Sequence, residues 1–225
     1  VREYRIYLRG YGDVAQMAGF PESRVRSRIG SAYHKLAERT IEESGPGSAG
    51  DDLLVRAIAQ YDTLTSDENS PYALDARYHR ALALQALATD ESTSRAREEF
   101  EAIIGSSAED QYVQGSLIKL SELHHSRGRY ELAAQRAQQI LDSFPQSHFR
   151  GDAYWSLAQS LRAQEQHEKA VQAFLSVSQD SPLFARARLN AGHVLVTRRQ
   201  HQRAIQALES GLESGSSEQL GSFHY

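Results

Sequence analysis

Five alanines recur in the same local setting, and their spacing restricts the fold more than any other feature of the chain. Ala57, Ala96, Ala133, Ala170 and Ala204 are separated by 39, 37, 37 and 34 residues. Four residues after each stands Tyr61, Phe100, Ala137, Phe174 or Leu208, and three further on Leu64, Ile103, Ile140, Val177 or Gly211. Steps of four and then three place these positions on one face of an α-helix. A second apolar helix precedes each, with the core pairs Ile29-Gly30, Leu82-Ala83, Leu120-Ser121, Leu157-Ala158 and Ala191-Gly192. The small residue in each pair lets a neighbouring helix approach closely. One such helix pair cannot bury its own apolar face, so a period of this length implies a stack of pairs.

The punctuation has the same period. Pro71, Pro145 and Pro182 each fall 12 to 14 residues after a marker alanine. Ser70-Pro71 and Ser181-Pro182 read as a helix N-cap followed by proline in the first turn, where its missing N–H costs nothing. Gly128 lies between the two helices of its repeat. No apolar/polar alternation is sustained, so no sheet is expected. Residues 1–21 form a lead-in: Tyr4, Tyr7 and Tyr11 suit a helix face, while Gly10, Gly12 and Gly19 interrupt it. Repeats are expected at about 22–71, 72–108, 109–145, 146–182 and 183–214, with 215–225 starting a further, truncated helix. The expected fold is all-α, a right-handed superhelical solenoid of about five helix pairs.

These units resemble the tetratricopeptide repeat, W-x2-L-G-x2-Y, then A-x3-F, then P. The best copy is Tyr154-x2-Leu157-Ala158-x2-Leu161, then Ala170-x3-Phe174, then Pro182. The first copy, Arg26-x2-Ile29-Gly30-x2-Tyr33, reaches Ala57-x3-Tyr61 and Pro71 after an insertion, Gly45-Pro46-Gly47-Ser48-Ala49-Gly50, that reads as a flexible loop. The weaker copies are led by His79, Leu117 and Arg188. The repeat style, with Phe144-Pro145-Gln146-Ser147 between helices, is similar to a bacterial cell-envelope subgroup. That subgroup includes the periplasmic coordinator of the Tol–Pal system and the lipoprotein of the outer-membrane barrel-assembly machine. It implies a periplasmic or envelope-associated protein, with the cytoplasm as the alternative. The 22 Arg against 3 Lys fit a GC-rich bacterial genome.

In such a fold the first helix of each pair lines a concave groove. Residues off the core stripe of those helices include Arg77, Arg80, Lys119, His125, Trp155, Arg162, Arg186, Asn190 and His193, so the groove reads as basic although the chain carries a net charge of -4. A basic groove fits an acidic partner segment, because guanidinium groups bond carboxylates in bidentate fashion. The alternative is that these arginines pair with neighbouring acids on a solvated face. Trp155 is the only tryptophan. It reads either as a binding anchor in the groove or as packing against the neighbouring repeat. The chaperone-type carboxylate clamp is not supported, since the matching places hold Ser31, Leu84 and Lys119.

No catalytic, cofactor or metal constellation is present. Cysteine is absent, which excludes thiolate metal sites and thiol catalysis. His124-His125 are adjacent on a helix and cannot chelate one ion together, and His124 falls in the core stripe. The acidic balance argues against nucleic-acid binding, and single-stranded RNA is the least favoured ligand. No run approaches the ~18 apolar residues of a membrane span. The expected function is a non-catalytic scaffold for a protein or peptide partner in a multi-protein complex. The alternative is a regulatory or assembly segment packing against its own missing C-terminal part. Leu208, Leu212 and Leu220 have no obvious polar cap, which points to continuation or self-association at that end.

Overall fold

The computed structural model describes residues 22–66, 70–106 and 110–214. The lead-in 1–21 and the segment 215–225 lie outside the described residues. Those described form ten helices and no strand: α1 (Glu22–Ser44), α2 (Ser48–Thr65), α3 (Ala73–Leu87), α4 (Asp90–Ile104), α5 (Asp110–Ser126), α6 (Tyr130–Ser143), α7 (Arg150–Ala163), α8 (His167–Leu175), α9 (Phe184–Thr197) and α10 (His201–Ser214). Odd-numbered helices are the first members of the pairs and even-numbered ones the second. Every marker alanine lies on a second helix and is buried, and Tyr61, Phe100, Ala137 and Phe174 are completely enclosed four residues later. The periodic stripe is therefore the core.

The insertion of the first repeat is shorter than expected. Only 45–47 form the turn, with Gly45 at φ 77°, while Ser48, Ala49 and Gly50 are the first turn of α2. The two Ser-Pro signals also act one step earlier than predicted. The Ser70 and Ser181 hydroxyls accept from the N–H groups of Tyr72 and Leu183 in turns that precede the helices. Ser147 accepts from Phe149 in the same way without a proline.

The turns inside the pairs share one geometry. Ala88, Gly128, Glu165 and Arg199 all sit in the left-handed region, at φ 55°, 71°, 61° and 58°. In three of the four, the following N–H closes on a carbonyl five residues back: Arg129 on His124, Gln166 on Leu161 and Gln200 on Leu195. This is the Schellman closure, which satisfies the carbonyls left over at a helix end.

The chain divides into two compact units, residues 1–116 and 117–225. In the first, α1 packs on α2, α2 on α3 and α3 on α4, around Ala57, Tyr61, Leu64 and Ala76. Gly30 is required there, since a Cβ would lie 2.7 Å from the Tyr61 ring. In the second, α6 packs on α7, α7 on α8, α8 on α9 and α9 on α10, around Phe174, Val171, Ala158, Ala191 and Leu195.

Burial corrects the register of the second repeat. Ala76 and Ala81 fill the places that Ala153 and Ala158 hold in the fourth repeat. The residue before the small one is therefore Arg80, where the fourth repeat has Leu157. The pair Leu82-Ala83 lies two residues beyond the matching slot.

Candidate functional site

In the second unit the first helices α5, α7 and α9 are joined by polar side chains. Ser121 Oγ donates to the Ala133 carbonyl at 2.7 Å and lies 2.6 Å from Ser156 Oγ, linking α5 to α7. One turn on, His125 Nδ1 lies 3.2 Å from Ser160 Oγ, and Tyr130 meets the imidazole edge-on. From α7 to α9, Arg162 Nη1 donates to Asn190 Oδ1 at 2.9 Å. The Asn190 amide is held for this by its own Nδ2, which donates to the Arg186 carbonyl.

Of the two roles the sequence offered Trp155, the contacts bear on packing. Its ring packs edge-on against Phe174, with centroids 5.5 Å apart, and its other contact is the Arg186 guanidinium, 4.9 Å from the ring centroid. That cation–π contact holds the arginine over an aromatic anchor. Lys119 on α5 pairs with Glu122 at 2.8 Å, and His193 is exposed on α9.

Arg77 and Arg80, expected on the same face, lie elsewhere. Arg80 projects between α2 and α4, donating to Asp62 at 2.9 Å and Thr65 at 2.5 Å on one side and to Glu99 on the other. Arg77 reaches Glu99 as well, at 3.7 Å. They occupy the large-residue side of α3, so their charge is neutralised within the layer of second helices.

Two features of the α5–α7–α9 row set its chemistry. Arg162 is held by an amide and Arg186 by an aromatic ring, and among the described residues neither pairs with a carboxylate. Gln159, on α7 between Trp155 and Arg162, has its Oε1 buried without a hydrogen-bond partner, an acceptor suited to a ligand N–H. The sequence reading missed Gln159; its signal was the 155, 159, 162 spacing, which follows one helix face. Burial, with Arg162 as a second cause, lowers the His125 pKa, which favours the neutral imidazole.

The first unit has a different polar cluster on its first helices. The Asp75 carboxylate accepts from Ser27 and from Tyr112 Oη, and His79 Nε2 lies 3.4 Å away. Those contacts, led by His79, hold the Asp75 carboxyl below its ordinary value. Burial pushes the Tyr61 hydroxyl up to about 12. Among the described residues no group of three or more His, Asp or Glu is placed to hold a metal ion, and no helix is long and apolar enough to cross a membrane.

A family model described as the tetratricopeptide repeat matches residues 118–179 and 155–218. No curated protein sequence matches. Solved structures do. A MamA chain (residues 41 to the end) from Desulfovibrio magneticus RS-1 is 15% identical, with a TM-score of 0.58 over 87% of this chain and 98% of that one. A putative kinesin light chain from Podosopora anserina, with nearly identical TPR-like repeats, is 18% identical at a TM-score of 0.62, over 87% and 98%. YrrB, described as a TPR protein with an unusual peptide-binding site, is 18% identical at 0.55, over 84% and 88%. At such identities the likeness is one of fold alone, and the envelope subgroup is not shown.

Proposed function

The chain is a tetratricopeptide-repeat protein, and from that premise we propose that it is a non-catalytic scaffold holding an acidic peptide segment of a partner protein on the α5–α7–α9 row. The observation that carries this reading is the pair of arginines without carboxylates. Arg80, Arg203 and Arg39 are each matched by an acid, whereas Arg162 and Arg186 are positioned by an amide and an indole instead. A partner's Asp or Glu supplies the missing carboxylate, and charge-assisted bonds of this kind are about twice as strong as neutral ones. Trp155 gives an apolar anchor, Gln159 Oε1 takes a main-chain N–H, and Lys119, His125, Asn190 and His193 border the row.

The test uses Trp155 as its own reporter. An acetylated, amidated hexapeptide alternating Glu and Ser is titrated against the full chain while Trp155 emission is followed. The expected result is a saturable change that weakens with salt, is absent for the Lys/Ser peptide, and is lost in Arg162→Glu/Arg186→Glu at unchanged helicity. Emission indifferent to the acidic peptide overturns the reading.

A second reading, association of two copies through the last helix pair, has its own observation. Val171 on α8 is buried, yet Ile205, one period later on α10, is 53% exposed, and Leu189, Val196 and Leu212 of the same helix pair are exposed as well. A second copy seated on these side chains covers them. Sedimentation velocity is expected to show a dimer that Ile205→Glu dissolves; a wild-type monomer at every concentration removes this reading.

A further inference from the structure

The spaces between successive second helices are closed in two places and open in a third, and the difference lies in equivalent positions. Over α3, the gap between α2 and α4 is braced by Arg80, which joins Asp62 to Glu99. Over α9, the gap between α8 and α10 is braced by Glu168, which accepts from Arg203 at 3.0 Å and from Gln200. Over α7, among the described residues, no hydrogen bond or ion pair braces the gap between α6 and α8. The position of Arg80 is taken by Leu157, that of Asp62 by Gln138 and that of Glu99 by Ala173. The counterparts of Glu168 and Arg203 are Glu131 and Lys169, which line the gap without pairing.

The result is a cleft of about 560 Å³. Its floor is Tyr154, Leu157 and Leu161 of α7, and its walls carry Gln135 and Gln138 of α6 and Gln172 of α8. Within a helix these residues follow spacings of three, four and seven, so each helix gives one continuous edge. The floor faces the side of α7 opposite Trp155, Gln159 and Arg162, so the cleft is separate from the row proposed above.

We propose that this cleft is a second binding site, for an extended, uncharged peptide segment that places aliphatic or aromatic side chains on the α7 floor. The walls select for that chemistry. A glutamine amide both donates and accepts, as does a peptide main chain, so extended backbone satisfies the walls while a helix, its main-chain groups already paired, does not. The cleft offers no local excess of charge, since Glu131 and Lys169 balance. A charged side chain set on the apolar floor of Tyr154, Leu157 and Leu161 loses hydration that those side chains do not replace.

The experiment is an amide-resolved NMR titration of the full chain with the capped peptide Ac-Ser-Leu-Ser-Leu-Ser-NH2, beside versions in which Glu or Lys replaces every Ser. The neutral peptide is expected to shift the side-chain amides of Gln135, Gln138 and Gln172 and to leave the Trp155 indole N–H in place. The charged versions bind at least about tenfold more weakly. Two variants follow. Leu157→Arg/Gln138→Asp/Ala173→Glu transfers the brace of the first unit into the gap and abolishes binding. Gln135→Ala/Gln172→Ala, both on exposed positions, weakens it about tenfold and keeps the test valid if the braced variant does not fold. Absence of any shift in the cleft, shifts confined to Trp155 and its neighbours, or full binding by both variants each overturn the proposal. The indole signal reports the other row, so failure of one site is distinguishable from failure of the other.

Discussion

At the scale of single residues, closeness of approach is set by what stands opposite. Gly30 and Gly192 look equivalent in sequence, each the small member of a core pair. A Cβ on Gly30 meets the Tyr61 ring at 2.7 Å, while one on Gly192 meets Leu208 Cδ2 at 2.6 Å. Tyr61 is completely enclosed, so its ring has nowhere to go, whereas Leu208 is only half-buried and free to turn. Gly30→Ala is expected to destabilise by about 1–2 kcal/mol even after the helix-propensity gain, and Gly192→Ala to be neutral within about 0.5 kcal/mol. Denaturant melts of the two variants check the contrast. Asp75 gives a pH prediction. Its folded pKa lies below the ordinary carboxyl value, so the folded state favours the ionised form. The resulting stabilisation is complete above the ordinary value and is lost as pH falls through the folded one. The stability difference between wild type and Asp75→Asn is expected to shrink across that acid window; a difference independent of pH contradicts the assignment.

At the scale of elements, the helices were legible in the sequence because burial follows a period, and the turns and braces were not because they break residue rules. Arg80 illustrates the second case. A charged residue in the large apolar slot hid the register of α3, and the nearby Leu82-Ala83 offered a more apolar match. Only Asp62 and Glu99, brought from two other helices, explain why an arginine is stable there, and that information is not local. The groove assignment of Arg77 and Arg80 failed with the register. Trp155, Arg162, Arg186 and Asn190 fall together along α7 and α9 because those helices keep the regular spacing. Turn geometry was hidden in the same way, since Ala88, Glu165 and Arg199 hold a conformation that usually advertises itself with glycine. Left-handed backbone costs an L-residue about 1–2 kcal/mol, and glycine's extra chain entropy recovers only part of that. Ala88→Gly is therefore expected to stabilise by about 0.5–1 kcal/mol, and Gly128→Ala to destabilise by about 1 kcal/mol, both read from thermal unfolding. Glu99→Gln, which weakens the brace while leaving Asp62 on Arg80, is expected to cost about 1–3 kcal/mol.

At the scale of the whole molecule, stability is expected to be a sum of neighbour terms within each unit, because α1 to α4 and α6 to α10 pack mainly on the next helix in sequence. Damage should therefore stay where it is made. Hydrogen exchange in Gly30→Ala is expected to accelerate in α1 to α3 and to remain at wild-type rates in α7 to α9; uniform acceleration would show a single cooperative unit instead. The shared turn geometry has a consequence for how long such a chain is. The turn after α7 reads Glu165-Gln166-His167 and the turn after α9 reads Arg199-Gln200-His201. Joining Glu165 directly to Gln200 removes 34 residues and leaves the junction with the same three residue types, Glu-Gln-His, in the same backbone conformation. Unequal crossing-over at that point takes out one whole repeat without writing a new turn, and the reverse event adds one. The number of repeats can thus change in one genetic step, while the sequence of each turn stays as it was.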